Sequence, residues 1–267
     1  MIGERELSLA SLHVHTRVSD GLKTPAECVC LAEKAGVQVL AVTDHDRISG
    51  AKEAQRYARE TNSPVEVVLG SEISTAQGHL LALFLPENTE EKDLAILESL
   101  DKNVREIHQM GGVTIIPHLA VGIPLVSVFP TTLMRLYENG QFVDGIETDN
   151  LIFRLRQKRQ AEDLRDSYKL SAIGADDDHN GNLGKLVVTV FPGKTSQDLK
   201  KAIEKRETLV LRRNGFESSP SSIFQTMEQL YRALISGLPN VKKVPVLVST
   251  LIDLQAENRK CRIKANE

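Results

Sequence analysis

From Leu7 to Leu211 short apolar runs alternate regularly with longer amphipathic ones, which leaves few folds open to the chain. Residues 7–14, 37–42, 65–69, 79–85, 113–116, 143–147, 170–173, 186–190 and 207–211 read as strands. Helical patterns fill the intervals. Thr24-Pro25-Ala26-Glu27 combines a capping box with proline at the first helical position, and Gly36 is a natural stop. Ser49 is a candidate cap for a helix over 50–61, and 90–110 reads as one long amphipathic helix. Residues 130–139 and 151–168 give two more, and Thr195 or Ser196 caps a last one over 195–205. Alternation of this kind predicts parallel strands in an α/β barrel or a doubly wound sheet. A chain of 267 residues can hold one such unit. Hydrophobic residues make up 41% of it, but aromatics only 4% and Trp none, so the core must be built from Leu, Val, Ile and Ala. That mix suits a sheet covered by helices.

The composition changes after Arg213, which sets a boundary between a barrel over 1–213 and an extension over 214–267. The extension opens with a Gly, Ser and Pro-rich stretch and continues as two helical patterns with a basic end. It is expected to pack on the barrel or to join two copies as a homo-oligomer. The net charge of −3 gives no reason to expect a binder of long nucleic acid, though it leaves a small phosphorylated substrate open. Three cysteines without framework spacing suit a reducing compartment. Cys28 and Cys30 lie in an apolar helical run and read as buried thiols. The start of the chain has no apolar run of the signal-peptide kind, and no stretch is long enough to span a bilayer, so a cytoplasmic protein without a membrane partner is expected.

Metal-ligand residue types collect where the expected strands end. His13-Val14-His15 places two imidazoles on one face of the first strand. Asp20 follows in Ser19-Asp20-Gly21, then His45 in Thr43-Asp44-His45-Asp46 and Glu72 in Gly70-Ser71-Glu72. His79 follows Gly78, His118 follows Pro117, Glu147 closes another strand, and Asp176-Asp177-Asp178-His179 comes after the next. At least five of the seven histidines fall at strand ends, the edge where sites form in α/β proteins, whereas His108 lies in a helix and is expected at the surface. Each motif alone is a weak signal, and the bland reading of a lone histidine as a hydrogen-bonded core residue stays open; for the whole series it is poor.

In their order these motifs resemble those of the PHP (polymerase and histidinol phosphatase) superfamily, over about residues 7–213. Phe191-Pro192-Gly193-Lys194-Thr195 also resembles the end of stand-alone bacterial metal-dependent phosphoesterases of that superfamily. The resemblance implies a distorted (β/α)7 barrel holding two or three divalent ions, drawn from Mn, Fe, Zn and Mg. His13 and His15 would hold the first with Glu72 and Asp177. Asp20, His45 and His179 would hold the second, and Glu72 would bridge to a third with His79 and His118. Relatives carry Ser where Asp176 stands, so Asp176 could compete with Asp177 as ligand, and Leu119 stands where Pro is common. Asp44 and Asp46 are expected to orient imidazoles, and Glu147 to line the site or to be structural.

The implied chemistry is phosphoester hydrolysis, with His13, His15, Asp20, His45, Glu72 and His179 at its centre. Mixed imidazole and carboxylate ligands suit Zn, Mn or Fe, and two ions about 3.5–4 Å apart can bridge and activate a water while clamping phosphoryl oxygens. No Ser-His-Asp order, reactive cysteine or P-loop offers a covalent route. A cation should grip the phosphate, and Arg17 and Arg154 are the candidates. The expected substrate is a small phosphomonoester or nucleotide. Short oligonucleotides or a 3′,5′-nucleotide bisphosphate form one alternative, and an inactive metal-binding scaffold another. Amide hydrolysis on a related barrel is disfavoured, since no lysine sits in a ligand motif.

Overall fold

The computed structural model describes residues 6–120, 125–150, 153 and 155–213. Its sheet contains nine strands: β1 (Leu7–Ser11), β2 (Val39–Val42), β3 (Glu66–Thr75), β4 (Gly78–Leu83), β5 (Val113–Ile116), β6 (Gly145–Asn150), β7 (Ser171–Ala175), β8 (Val187–Pro192) and β9 (Leu209–Arg212). Six α-helices accompany it: α1 (Pro25–Ala35), α2 (Ser49–Glu60), α3 (Leu100–Gln109), α4 (Pro130–Glu138), α5 (Leu155–Tyr168) and α6 (Ser196–Lys205). The first seven strands follow one another round the sheet in chain order, and the β8–β9 pair is added beyond β1. The curved sheet nearly closes where β7 meets β8 and β9. There the Thr189 hydroxyl accepts from the Gly174 amide and donates to the Gly174 carbonyl, both at 3.0 Å. This is the distorted α/β barrel expected from the sequence. The expected extension over 214–267 lies outside the described residues.

The sheet is mixed where the alternation suggested parallel pairing. β4 is antiparallel to β3 and β5, and β8 is antiparallel to β1 and β9. The reason is local: β3 runs on to Thr75 and turns directly into β4 at Gly78, leaving no room for the helix that a parallel crossover requires. A second departure concerns the long helix expected over 90–110. A single 3₁₀ turn at Glu91–Asp93 is followed by irregular chain, and α3 starts only after Ser99, whose hydroxyl accepts from the Lys102 amide. Leu97 in between has a φ of 59°, a left-handed conformation that breaks any continuous helix. Thr24 and Thr195 cap their helices as expected, whereas Ser49 is the first residue of α2 and its hydroxyl donates to Glu91.

Strand alternation separates the core into two layers. Val39 and Ala41 pack with Ala10, Leu12, Leu81, Leu83, Ile115, Ile173 and Phe191. Leu40 and Val42 point the other way, into the layer shared with Val29, Ala54, Val104, Leu133 and Ala161 of α1 to α5. α6 is the exception, since its Leu199, Ala202 and Ile203 join the first layer. The Ser196 amide donates to Glu66 and the Lys200 ammonium to the Gly111 carbonyl, at the starts of β3 and β5. α6 therefore closes the amino-terminal end of the barrel and leaves the opposite rim for the site. Cys28 is buried in α1, where burial pushes its thiol up to about 12. No described helix is long and apolar enough to cross a membrane.

Candidate metal centre

Every donor named from the sequence reaches one rim of the barrel. His13 and His15 follow β1, His45 follows β2, and His118 follows β5, all at carboxyl-terminal strand ends. Glu72 lies within β3, and His79 stands at the start of β4, which reaches the same rim because it runs the opposite way. Asp177 and His179 follow β7. Two reciprocal backbone bonds flanking Val14 tie this last segment to the first: the His15 amide donates to the Asp178 carbonyl at 2.9 Å, and the Asp178 amide to the His13 carbonyl at 3.1 Å.

Glu72 is the hub. Its Oε1 lies 2.9 Å from His79 Nδ1 and 2.8 Å from His118 Nε2. Its Oε2 lies 3.2 Å from His13 Nε2, His15 Nε2 and His45 Nδ1 alike. Asp177 Oδ1 is 3.3 Å from His13 Nε2 and 3.4 Å from His15 Nε2, while Asp20 Oδ2 is 3.2 Å from His179 Nε2. The donor atoms form four overlapping groups, each with its members within 4.8 Å of one another: His15, Asp20, His45 and His179; His13, His15 and Asp177; His13, Glu72 and His118; His45, Glu72 and His79.

The donor chemistry fits divalent cations. Buried polar atoms are nearly always hydrogen-bonded, yet His13 Nε2, both nitrogens of His15, Asp20 Oδ2, His118 Nδ1 and His179 Nε2 are buried without a hydrogen-bond partner among the described residues. Most of them face carboxylate oxygens or other imidazoles across the cluster. Burial disfavours charge on His13, but the carboxylates of Asp177, Glu72 and Glu147 outweigh it and raise the ring well above its ordinary value. The same contest, with Asp177, Glu72 and Asp20, lifts His15 to about 10. Burial wins at His45, which falls to about 3. Against burial, the surrounding imidazoles hold Glu72, Asp177 and Asp20 below the usual carboxylate range. Protons on the imidazoles balance buried carboxylate charge, and divalent cations supply the same balance in their place.

The acids next to these donors in sequence bond to backbone amides and hydroxyls rather than to imidazoles. Asp44 accepts from the Thr16 amide and hydroxyl, both at 2.7 Å, and from the Ser19 hydroxyl at 2.6 Å, clamping the loop that carries Asp20. Asp46 accepts from the Ser74 amide at 2.7 Å, and burial pushes its carboxyl up. Neither reaches an imidazole, which corrects the orienting role expected of them. Asp178 gathers the amides of Asn180, Gly181, Asn182 and Leu183. Asp176 accepts from the Val187 amide at 2.6 Å, stays outside every donor group, and is pushed up by burial to about 7. Of the two acids, Asp177 is the one whose oxygen stands within a donor group. Leu119 turns into the core and leaves His118 at the rim.

The arginines expected to grip phosphate are less defined. Arg17 is exposed beside the Asp20 loop, where its Nε donates to the Leu22 carbonyl at 2.8 Å, and Arg154 lies outside the described residues. His108 is not a free surface residue, because its Nε2 pairs with Asp144 at 2.8 Å.

The fold and the site define a nearly closed α/β barrel with histidine and carboxylate groups at one rim that could hold metal ions. The chain belongs to the PHP domain family, whose sequence pattern matches residues 11–215. It is 37% identical over 156 residues to an uncharacterized protein of Methanocaldococcus jannaschii, covering 54% of this chain and 83% of that one. It is 41% identical over 99 residues to a 5′-3′ exoribonuclease of Haemophilus influenzae, where the match spans 36% of this chain and only 35% of the relative. Among solved structures it resembles a two-domain protein of Bacteroides vulgatus containing a predicted PHP-like metal-dependent phosphoesterase. The TM-score is 0.63 at 19% identity, over 84% of this chain and 70% of that one. At that identity the likeness speaks to the fold.

Proposed function

We propose that this protein is a metal-dependent phosphoesterase that hydrolyses a small phosphomonoester or nucleotide in the cytoplasm. The observation that carries the reading is the contact of one buried carboxylate, Glu72, with five imidazoles. A structural salt bridge has no use for so many nitrogens around one acid, whereas a polynuclear metal site does. His13, His15, Asp20, His45, Glu72, His79, His118, Asp177 and His179 would hold two or three ions of Mn, Fe, Zn or Mg. Such ions would neutralise phosphoryl charge and make water nucleophilic near neutral pH. The chain's own contribution is to fix these donors, through the Asp44 clamp and the bridge at Val14, and to offer Arg17 at the rim for a bidentate grip on phosphate.

The 41% identity to an exoribonuclease favours a second reading, cleavage of short 5′-phosphorylated oligonucleotides or of a nucleotide bisphosphate. One experiment tests both. Phosphate release is measured with added Mn²⁺ and with EDTA across monoesters, nucleotides, 3′,5′-bisphosphates and short 5′-phosphorylated oligonucleotides. Metal-dependent release supports the class, and the preferred compound chooses between the readings. Silence from protein shown to contain metal would favour a scaffold without catalysis.

A further inference from the structure

Glu147 is fully buried beside the cluster, yet it belongs to none of the four donor groups. Its two oxygens are already committed. Oε1 accepts from His13 Nδ1 at 2.7 Å, and Oε2 accepts from the His118 amide at 2.8 Å and from Asn150 Nδ2 at 2.6 Å. His118 itself is a non-glycine residue with a φ of 27°, a sparsely populated conformation that persists only where the surroundings enforce it.

We infer that Glu147 is a positioning residue for two ligands at once. It keeps a proton of His13 on Nδ1, so that Nε2, which faces Glu72 and Asp177, is the nitrogen left to bind a cation, and it pins the His118 backbone in the turn from which that ring reaches Glu72. Each half follows from hydrogen-bond directionality. A carboxylate accepts and cannot donate, so the nitrogen facing it must carry hydrogen, and in a neutral imidazole the other nitrogen is then the free one. A ligating histidine held through its second nitrogen by a carboxylate has its tautomer and ring orientation fixed. Glu147 differs from a single such partner in serving a side chain from the end of β1 and a main chain from the end of β5.

Glu147→Gln separates positioning from packing because it keeps shape and removes one acceptor. The pocket presents donors on both sides, so the amide oxygen must turn to His118 and Asn150. The NH₂ then faces His13, forces Nδ1 to accept, and moves the ring proton to Nε2, where it points into the cluster.

The inference rests on the metal-centre reading, and Zn²⁺ titration against a chromophoric chelator tests the two apart. Wild-type protein is expected to bind Zn²⁺ in more than one class of site. In Glu147→Gln the sites using His13 and His118 should weaken about 10–100-fold. The site of His15, Asp20, His45 and His179 should survive, recognisable by its loss in the double variant Glu147→Gln/His179→Ala. The thermal midpoint of the metal-free variant should stay close to wild type. Wild-type stoichiometry and affinity in Glu147→Gln would overturn the inference. So would a uniform weakening of all sites with a large drop in thermal midpoint, which would mark Glu147 as structural only. Wild-type protein that binds no Zn²⁺ would instead sink the metal-centre reading itself.

Discussion

The imidazoles of His15 and His179 lie nearly parallel, with ring centroids 4.0 Å apart and 14° between planes, although one follows the first strand and the other the seventh. The stack brings a donor from the start of the barrel and one from its last strands into the same group, together with Asp20 and His45.

Glu72→Gln should empty the centre. It keeps the volume but puts an NH₂ among the five imidazole nitrogens and removes the charge that several donor groups share. If the ions contribute several kcal/mol to the transition state, turnover should fall by about a thousandfold. Metal analysis alongside phosphate release checks this, and full metal content with full activity would remove Glu72 from the site.

Asp44→Asn should act on one group only. Asp44 clamps the loop of Asp20 and fits because Gly50 has no side chain: a Cβ there would lie 1.9 Å from Asp44 Oδ2. The substitution should weaken the His15, Asp20, His45 and His179 group about 10–100-fold and spare the others, the reverse of Glu147→Gln. Zn²⁺ titration of the two variants side by side reads the contrast.

Asp144→Asn should show a pH signature away from the site. Burial opposes ionisation of Asp144, but hydrogen bonds from His108, the Thr114 amide at 2.7 Å and the Thr114 hydroxyl at 3.0 Å hold its carboxyl below the usual range. A carboxylate depressed on folding stabilises the protein above its unfolded value of about 3.9, and the gain is lost as pH falls through the folded value. The variant should be less stable at pH 7 by about 1–3 kcal/mol, and the gap should narrow below about pH 4. Urea midpoints for both proteins across that range test the sign; a constant gap would contradict it.

Gly174→Ala should strain the seam of the barrel. A Cβ there would lie 2.6 Å from Val210 Cγ1 and 2.8 Å from the Val188 carbonyl oxygen. Overpacking of this kind costs about 1–3 kcal/mol. Thermal unfolding should show the loss, and an unchanged midpoint would mean that the strands can part without penalty.

Much of the gathering at this rim was legible in the sequence because most of the residues involved follow strands, and strand ends are marked by the change from apolar runs to polar motifs. His13, His45 and His118 could be placed at one rim from their spacing to residues 7–14, 37–42 and 113–116. Strand direction was not legible: an apolar run such as 79–85 reads the same parallel or antiparallel, and only the short turn before Gly78 decides. Helix starts were read too early where amphipathic spacing continued through 90–99, because a cap such as Ser99 overrides periodicity once packing selects it. The roles of Asp44, Asp46 and Glu147 were hidden for another reason. A carboxylate beside a ligand can accept from an imidazole or from a backbone amide, and sequence carries no angle to tell them apart.

The paired backbone bonds around Val14 have a consequence for how the protein is made. They join the first donor segment to the last, so the group of His15, Asp20, His45 and His179 exists only after contacts very distant in sequence have formed, and such contacts slow folding. A nascent chain still awaiting β7 at the ribosome carries Asp20 and His45 but neither Asp177 nor His179. On the metal-centre reading proposed above, the full donor set is present only once synthesis has passed the seventh strand, while the seam with β8 and β9 is still to form.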